Sequence, residues 1–304
     1  MCHSDLMKNQ RAASVEFAKM AGGGNDFIVI DNRDEGIADG SMLAFTLCTR
    51  RLSVGADGLI LVENSSRADV RMIYFNADGS RGEFCGNGTR CVARFALLNE
   101  MAGPAMTIET DSGVVPAAVG DDGLVTIAVM APGRVALERP LEVESEGIVR
   151  GSSLRVGVPH YVIIEDRDDF WNREIRGLGR AIRQHRELQP EGTNVNFVRV
   201  RSRKAIEVRT YERGVEDETL ACGSGVVASV SVNALKGFVD SPVTVLTRSG
   251  ISFTVSFATG SDGLSDMKLA GDARVVYRSR LTEESWGGFD PAWVRNPTSQ
   301  PAQP

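Results

Sequence analysis

Residues 74–90 read YFNADGSRGEFCGNGTR, and residues 211–227 read YERGVEDETLACGSGVV. The two stretches are offset by 137 positions, and each runs from a tyrosine to a cysteine eleven residues later, Cys85 or Cys222, that precedes a glycine-rich turn. Repeats of roughly 20 to 50 residues are typical of solenoids. A period this long instead predicts two similar domains.

The offset of 137 recurs outside these two stretches. Residues 55–59 (GADGL) align with residues 192–196 (GTNVN), and residues 110–114 (TDSGV) align with residues 247–251 (TRSGI). With a small slip, DFIVID at position 26 matches HYVIIE at position 160. The chain is therefore expected to be an α+β protein built from two pseudo-symmetric domains.

Short β-branched runs bounded by Gly, Pro or Asp-Gly turns make up most of the chain, a pattern typical of strands. Two segments differ. Residues 89–101 and 226–236 are apolar on nearly every side and stop at glycine, which predicts buried helices. Each domain is thus expected to be a curved mixed or antiparallel sheet wrapped around a central buried helix.

Domain boundaries follow from the repeat and from composition. A crossover is expected at Pro132-Gly133 and the charged stretch 138–146, and a Pro-, Ser-, Gln- and Gly-rich end is expected to be mobile. The predicted parts are an N-terminal half at 15–131, completed by a strand near 272–280, a C-terminal half at 132–271, and a mobile tail at 281–304.

Composition narrows the classes of protein and partner. The net charge is −6, which provides no electrostatic footprint for nucleic acid, and no apolar run approaches the roughly 18 residues needed to cross a bilayer. No secretory signal is evident at the start, and five cysteines form an odd set that favours reduced thiols. We expect a cytoplasmic protein whose partner is a small molecule.

The cysteine motifs carry the chemistry. Each cysteine comes just before a predicted helix, where unpaired backbone N–H groups and the positive end of the helix dipole converge. Such a site binds a carboxylate, lowers a thiol pKa and stabilises a developing carbanion. Glycine allows the substrate to approach the backbone and permits positive φ.

Two opposed acid/base thiols suit the inversion of a carbon stereocentre, in which one group removes a proton and the other returns one to the opposite face. The alternative is that Cys85 and Cys222 are only packed, as buried cysteines often are. Pyridoxal phosphate would need a Schiff-base lysine. None of the five lysines adjoins a phosphate-binding loop, so we expect no cofactor. We also expect no metal, because Cys91 lies at a poor spacing from Cys85 for zinc.

Four ordered motifs resemble those of the diaminopimelate epimerase family. They are GGGNDFIVID at 22–31, FNADGSRGEFCGNGTRC at 75–91, GTNVNF at 192–197 and YERGVEDETLACGSG at 211–225, and the resemblance spans about residues 15 to 280. It implies a pyridoxal-independent enzyme that interconverts LL- and meso-diaminopimelate for lysine and peptidoglycan synthesis. The substrate would be this small amino acid, and the protein could form a homodimer.

The resemblance also implies roles for individual residues. Cys85 and Cys222 would be the acid/base pair, with His160 and Glu212 tuning the thiol pKa values. The implied substrate contacts are Gly86, Asn87, Gly223 and Ser224 for the reacting carboxylate, Glu212 for the reacting amino group, and Asn25, Asn76, Asn194 and Arg213 for the rest of the molecule, with Arg213 on the distal carboxylate.

Two departures from the family pattern concern substrate contacts. This chain has Val158 where well-known members have asparagine before Pro-His, and Gly58 where they have glutamine after Gly-x-x-Asp. A related pyridoxal-independent racemase acting on a different amino acid is therefore an alternative function.

Simpler interpretations exist for several residues. His160 could be a polar residue at a strand corner, the three asparagines could be turn formers, and Arg213 could be a surface charge. Cys48 and Cys91 are interpreted as core residues.

Three rival functions use the same motifs. Residues 223–228 (GSGVVA) fit a dinucleotide-binding pattern, but no strand is expected directly before them. A cysteine hydrolase would leave the second Cys-Gly motif unexplained, and a silent binding module would make both cysteines dispensable.

Overall fold

A computed structural model describes residues 15–82, 84–144, 146–261 and 263–292, and it divides the chain into two compact units. The first unit combines residues up to Val125 with those from Ala273 onward, and the second is the continuous segment Thr126–Asp272.

The elements follow one another along the chain with few helices among many strands. The first half contains β1 (Glu16–Gly22), β2 (Asn25–Asp31), α1 (Gly40–Leu47), β3 (Gly58–Glu63), β4 (Val70–Asn76), β5 (Arg81–Gly82), α2 (Gly86–Leu98), β6 (Ala105–Thr110) and β7 (Gly113–Val119). The remainder contains β8 (Val125–Ala128), β9 (Ala136–Val143), β10 (Gly147–Val156), β11 (Val158–Ile164), α3 (Arg176–Arg183), β12 (Asn194–Ser202), β13 (Ala205–Glu212), β14 (Asp217–Thr219), α4 (Gly223–Leu235), β15 (Val243–Thr247), β16 (Ser252–Gly260), β17 (Gly263–Gly271) and β18 (Arg274–Arg280), with 3₁₀ turns at Arg186–Leu188 and Glu283–Ser285.

The first unit is a mixed sheet around α2. Strand β2 pairs parallel with β3, β3 pairs antiparallel with β4, and β4 pairs parallel with β6, which forms a hairpin with β7. Strand β1 lies between β2 and β18, antiparallel to both. Helix α2 contacts β1, β2, β3, β4, β6, β7 and β18, so the sheet surrounds the helix on several sides.

The second unit repeats this pairing order around α4. Strand β11 pairs parallel with β12, β12 antiparallel with β13, and β13 parallel with β15, which forms a hairpin with β16. Strand β10 lies between β11 and β9. Helix α4 contacts β10, β11, β12, β13, β16 and β17. The predicted fold class, α+β with two similar halves each built around a buried helix, is confirmed.

Residue choice explains why α2 and α4 are the buried helices. Residues 225–232 of α4 are all buried and are small or β-branched, so the helix backbone and the sheet approach closely. Helix α2 buries Cys91, Val92, Ala93, Phe95 and Ala96 in the same way. Separate apolar clusters lie beneath the shorter helices, with Leu47 of α1 in one and Ile182 of α3 in the other.

Three details differ from the sequence-based expectations. Helices α2 and α4 begin at Gly86 and Gly223, directly after the cysteines, rather than at residues 89 and 226. Most of the charged stretch 138–146, expected as a crossover, belongs to β9 and its turn, because its apolar members Leu141 and Val143 are buried on one side of that strand. Helices α1 and α3 were not predicted, since each is only eight residues long.

The expected mobile tail is packed at its start. Leu281 is buried in the core of the first unit, Trp286 packs against the same core, and the Ser53 hydroxyl donates a hydrogen bond of 2.5 Å to the Ser285 carbonyl. Apolar side chains explain this docking. The rest of that tail, residues 293–304, lies outside the described residues, as do residues 1–14.

Candidate active site

Cys85 is the N-cap residue of α2. Its backbone is extended (φ −141°, ψ 105°), its carbonyl accepts the backbone N–H of Thr89 at 2.8 Å, and its Sγ accepts the backbone N–H of Gly88 at 3.4 Å. The thiol is half-buried. It therefore occupies the position at which a helix end offers N–H groups to an anion.

Cys222 is the corresponding N-cap of α4, with φ −124° and ψ 111°. Its Sγ lies 3.4 Å from the Ser224 hydroxyl and 4.0 Å from the Asn194 amide nitrogen. This thiol is 7% exposed, much less than Cys85. The repeat thus places both cysteines at equivalent helix starts in different surroundings.

Burial, together with the nearby charge of Glu212, raises the pKa of Cys222 to about 12, although hydrogen bonds from Ser224 and Gly225 act in the opposite direction. The expectation that the helix end would lower the pKa of this thiol is therefore wrong for Cys222. A helix end contributes a partial charge, whereas removing the thiolate from water costs more.

The glycines act through close approach rather than through unusual dihedrals. Positive φ values occur elsewhere in the described chain, but not at Gly86, Gly88, Gly223 or Gly225. A Cβ on Gly88 would lie 2.9 Å from the end of Met72, and one on Gly225 would lie 2.3 Å from Asn196 Oδ1. The expectation of positive φ at these turns is therefore wrong.

Asn25 and Asn87 meet in the first unit. The Asn87 amide nitrogen donates to Asn25 Oδ1 at 2.7 Å, so two of the predicted site residues join at the start of α2. Asn76 lies at the end of β4, where its Oδ1 accepts the Tyr74 hydroxyl at 2.8 Å and its nitrogen donates to Ser80 at 3.0 Å.

In the second unit, Asn194 and Arg213 are in contact. The backbone N–H of Arg213 donates to Asn194 Oδ1 at 2.8 Å, which turns the Asn194 nitrogen toward Cys222. The Arg213 guanidinium donates to the Glu191 carbonyl at 2.9 Å. Glu212 is the last residue of β13, directly before Arg213, and is close enough to Cys222 to influence its pKa.

His160 is buried in β11, and its Nδ1 faces the Asn196 amide nitrogen at 3.1 Å. The Thr210 hydroxyl donates to Asn196 Oδ1 at 3.0 Å, which assigns the amide orientation and places the ring proton on Nε2. Among the described residues Nε2 has no hydrogen-bond partner. Burial and the charge of Arg213 lower the pKa of His160 to about 3, so this imidazole is neutral at physiological pH.

The departure at Gly58 has a structural counterpart. A Cβ at this position would lie 2.5 Å from the Tyr74 ring and 2.6 Å from the Phe75 carbonyl oxygen. Tyr74 thus fills the space that a side chain at position 58 would need. Val158 is the first residue of β11 and is half-buried.

Five residues that hydrogen-bond within the site were not predicted from the sequence: Asp57, Tyr74, Arg90, Asn196 and Thr210. Arg90 stands inside the GNGTRC motif and Asp57 inside the repeated segment GADGL at 55–59, which was the available signal. The partners of Asn196 and Thr210 come from different strands, so no local pattern marks them.

Other features of the described chain add no second centre. Cys48 and Cys91 are buried thiols, while Cys2 is outside the described residues. Within the described ranges, no three His, Cys, Asp or Glu side chains are grouped so as to hold a metal ion. No helix among those residues is long and apolar enough to cross a membrane. Residues Leu220–Cys222 separate β14 from Gly223, unlike the strand-to-glycine junction of a dinucleotide fold.

Solved structures share this fold. A PhzF-family phenazine biosynthesis protein of Bacillus anthracis superposes with a TM-score of 0.67 at 15% identity, covering 88% of this chain and 99% of that one. A hydroxyproline epimerase from Agrobacterium vitis, solved with trans-4-hydroxy-L-proline, gives 0.64 at 18% identity, covering 90% and 92%. These comparisons establish the fold that this chain shares with both proteins.

Sequence comparison identifies the family. The family model for diaminopimelate epimerase matches residues 17–135 and 152–268. The diaminopimelate epimerase of Aquifex aeolicus is 43% identical over 283 residues, covering 89% of this chain and 99% of that protein. The chain belongs to the diaminopimelate epimerase family.

Proposed function

We propose that this protein interconverts LL- and meso-2,6-diaminopimelate without a cofactor, using Cys85 and Cys222 as the two acid/base groups. The observation that carries the proposal is the paired helix start, since each unit has a cysteine at the N-cap of its central buried helix. Family membership supports the substrate and a place in lysine and peptidoglycan synthesis.

Inversion of a stereocentre requires one thiolate and one thiol. The thiolate removes the α-proton, and the thiol gives its proton to the opposite face of the planar carbanion, so that the two sulfurs exchange protonation states. Burial favours the neutral thiol at Cys222. Cys222 therefore suits the proton donor in the resting protein, and Cys85, at the more exposed helix start, suits the base.

Backbone N–H groups support the charged species. The carboxylate of the reacting centre would bind at Gly86-Asn87 and Gly223-Ser224, where the first turns of α2 and α4 expose N–H groups. These groups also stabilise the enolate-like charge that develops on that carboxylate. Neutral His160 would act through its position and dipole, because its lowered pKa excludes the imidazolium form.

The remaining residues would hold the rest of the substrate. Glu212 would accept the reacting ammonium group, and Arg213 would pair with the distal carboxylate, assisted by Asn25, Asn76 and Asn194. Arg213 now bonds a backbone carbonyl that a carboxylate could replace with a stronger, charge-assisted bond. We further propose a cytoplasmic homodimer, which sedimentation velocity of the purified protein tests.

The deciding experiment is an exchange screen. Purified protein is incubated in D₂O, without added cofactor, with LL- or meso-diaminopimelate and with alanine, proline and glutamate, and α-proton loss is followed by NMR. We expect exchange and epimer formation with diaminopimelate. Exchange with another amino acid alone would favour the racemase alternative suggested by Gly58 and Val158, and no exchange with any compound would contradict the proposal.

A further inference from the structure

A hydrogen-bond chain connects a buried arginine to a carboxylate through two amides of the candidate site. Arg90 Nη2 donates to Asn87 Oδ1 at 2.7 Å, Asn87 Nδ2 donates to Asn25 Oδ1 at 2.7 Å, and Asn25 Nδ2 donates to Asp57 Oδ2 at 2.9 Å. All four residues belong to the first unit. We name this set the Arg90–Asp57 chain.

The two ends impose a direction on the chain. A guanidinium can only donate, and an ionised carboxylate can only accept. An asparagine amide between neutral neighbours could take either of two orientations that differ by a half-turn. Here each inverted amide would set donor against donor or acceptor against acceptor, so Asn25 and Asn87 have one orientation each.

Both ends are themselves held in place. Arg90 is fully buried within α2 and also donates to the Gly86 carbonyl at 3.4 Å. Asp57 accepts from Arg50 at 2.9 Å and from the backbone N–H of Asp26 at 3.2 Å. The direction therefore follows from a buried guanidinium at one end and, at the other, from a carboxylate held by a side chain and a backbone N–H.

Fixed orientation has a consequence for binding. Each amide nitrogen uses one of its two hydrogens within the chain, and each amide oxygen is already engaged as an acceptor. The second N–H of each amide is left to meet a ligand. Such a surface matches a carboxylate and disfavours a ligand group that must donate.

We propose that Arg90 and Asp57 are positioning residues, which set the two amides so that Asn87 presents an N–H group to the reacting carboxylate and Asn25 presents one to the distal part of the substrate. This inference rests on the proposed function for the identity of the ligand. In the second unit the repeat places Val227 and Asn194 at the positions of Arg90 and Asp57, so neither the guanidinium nor the carboxylate has a counterpart at the repeated position. The Arg90–Asp57 chain is therefore a feature of the first unit, which contains Cys85.

The first test measures stability after a carboxylate is added at position 25, and then after it is moved there from position 57. In Asn25→Asp, two carboxylates face each other at hydrogen-bond distance, which raises their pKa values. The urea midpoint of this variant should fall relative to the wild type as pH rises from about 4 to 7, because ionisation of the pair favours the unfolded chain. Adding Asp57→Asn restores a donor opposite every acceptor at unchanged net charge, and should abolish that pH-dependent fall.

The second test measures kinetics at the arginine end. Arg90→Gln replaces a donor by an amide that can donate or accept, and we expect KM for diaminopimelate to rise about tenfold with a smaller change in kcat. A purely structural role would lower the active fraction, and hence apparent kcat, at unchanged KM. Asp57→Asn serves the same test if Arg90→Gln does not fold. Asp31→Asn, which removes the carboxylate paired with exposed Arg33, is the matched control and should leave KM unchanged.

The outcomes separate the two proposals. A wild-type protein without epimerase activity would overturn the proposed function, while the stability test would still decide whether the chain has a direction. The inference fails if the Asn25→Asp, Asp57→Asn double variant loses as much stability with pH as Asn25→Asp alone. It also fails if the folded end variants bind substrate with wild-type KM.

Discussion

At the scale of single residues, Cys85 and Cys222 share a helix position but differ in solvent access, one half-buried and the other 7% exposed. Because inversion requires a group on each face of the carbon, replacing either with alanine should lower kcat by at least about a hundredfold. Cys91→Ala is the matched control, since Cys91 lies within α2, the helix that Cys85 caps, but is buried in the core. Near-normal turnover in either Cys85→Ala or Cys222→Ala would contradict the two-thiol mechanism.

The raised pKa of Cys222 leads to a pH prediction. A thiol whose pKa is higher in the folded protein, about 12 against an ordinary value of 9.0, adds stability that is complete below pH 9 and is lost between pH 9 and 12. Wild-type protein should therefore lose more unfolding free energy over that window than Cys222→Ala does. Urea unfolding at pH 8 to 11 measures the difference. In parallel, iodoacetamide should alkylate Cys222 slowly at pH 8, and rapid alkylation there would refute the assignment.

Gly58 allows a test of the family departure. A Cβ at Gly58 would meet both the Tyr74 ring and the Phe75 carbonyl oxygen below 3.0 Å. Since backbone cannot move as a side chain can, Gly58→Ala should lower the free energy of unfolding by about 1 to 3 kcal/mol. Gly133→Ala is the control, because nothing lies within 4 Å of a Cβ there. Equal urea midpoints for the two variants would show that β3 and β4 tolerate a side chain at position 58.

At the scale of elements, the first turns of α2 and α4 are equivalent but tolerate change differently. A Cβ on Gly88 would meet the flexible ends of Met72 and Ile60, whereas one on Gly225 would meet Asn196 Oδ1 at 2.3 Å. Asn196 is held by Thr210 and holds His160. Gly225→Ala should thus reduce both stability and kcat more than Gly88→Ala does. Differential scanning calorimetry and steady-state kinetics make the comparison, and the reverse order would contradict it.

Sequence patterns predicted these two helices because their apolar residues repeat on all sides and glycine stops them. They did not predict where the helices begin, because the small residues Gly-Asn-Gly and Gly-Ser-Gly have low helix propensity and only the capping geometry of Cys85 and Cys222 assigns them to the helix. Strand β9 was missed because its exposed face has Glu138, Pro140 and Glu142, which are uncommon in strands.

Some features of the candidate site could likewise be predicted from the sequence, and others could not. Cys85, Cys222 and the asparagines stand in repeated or recognisable motifs, so the sequence indicated them. The raised pKa of Cys222 depends on its burial, and the Arg90–Asp57 chain joins residues up to 62 positions apart in sequence, at the bond between Asn25 and Asn87. Such properties arise only when strands and helices from distant parts of the chain are packed together.

At the scale of the whole molecule, the second unit is continuous in sequence and the first is not. Strand β18 and Leu281 return to the first unit after the chain has completed the second. Strand β18 covers one edge of β1, and an uncovered edge strand promotes aggregation. The two units should therefore differ in their ability to fold when each is produced as a separate fragment.

We expect the fragment 126–272 to fold alone, because it contains helix α4, its own apolar cluster and the strands β9 to β17. Far-UV circular dichroism and a cooperative urea transition test this. The fragment 15–125 should fail the same test, since it lacks β18 and Leu281, and joining residues 273–292 to it through a flexible Gly/Ser linker should restore folding. Each fragment contains one of the two thiols, so neither should epimerise diaminopimelate by itself. A folded fragment 15–125 would show that β18 is dispensable, and epimerisation by either isolated unit would overturn the requirement for both cysteines.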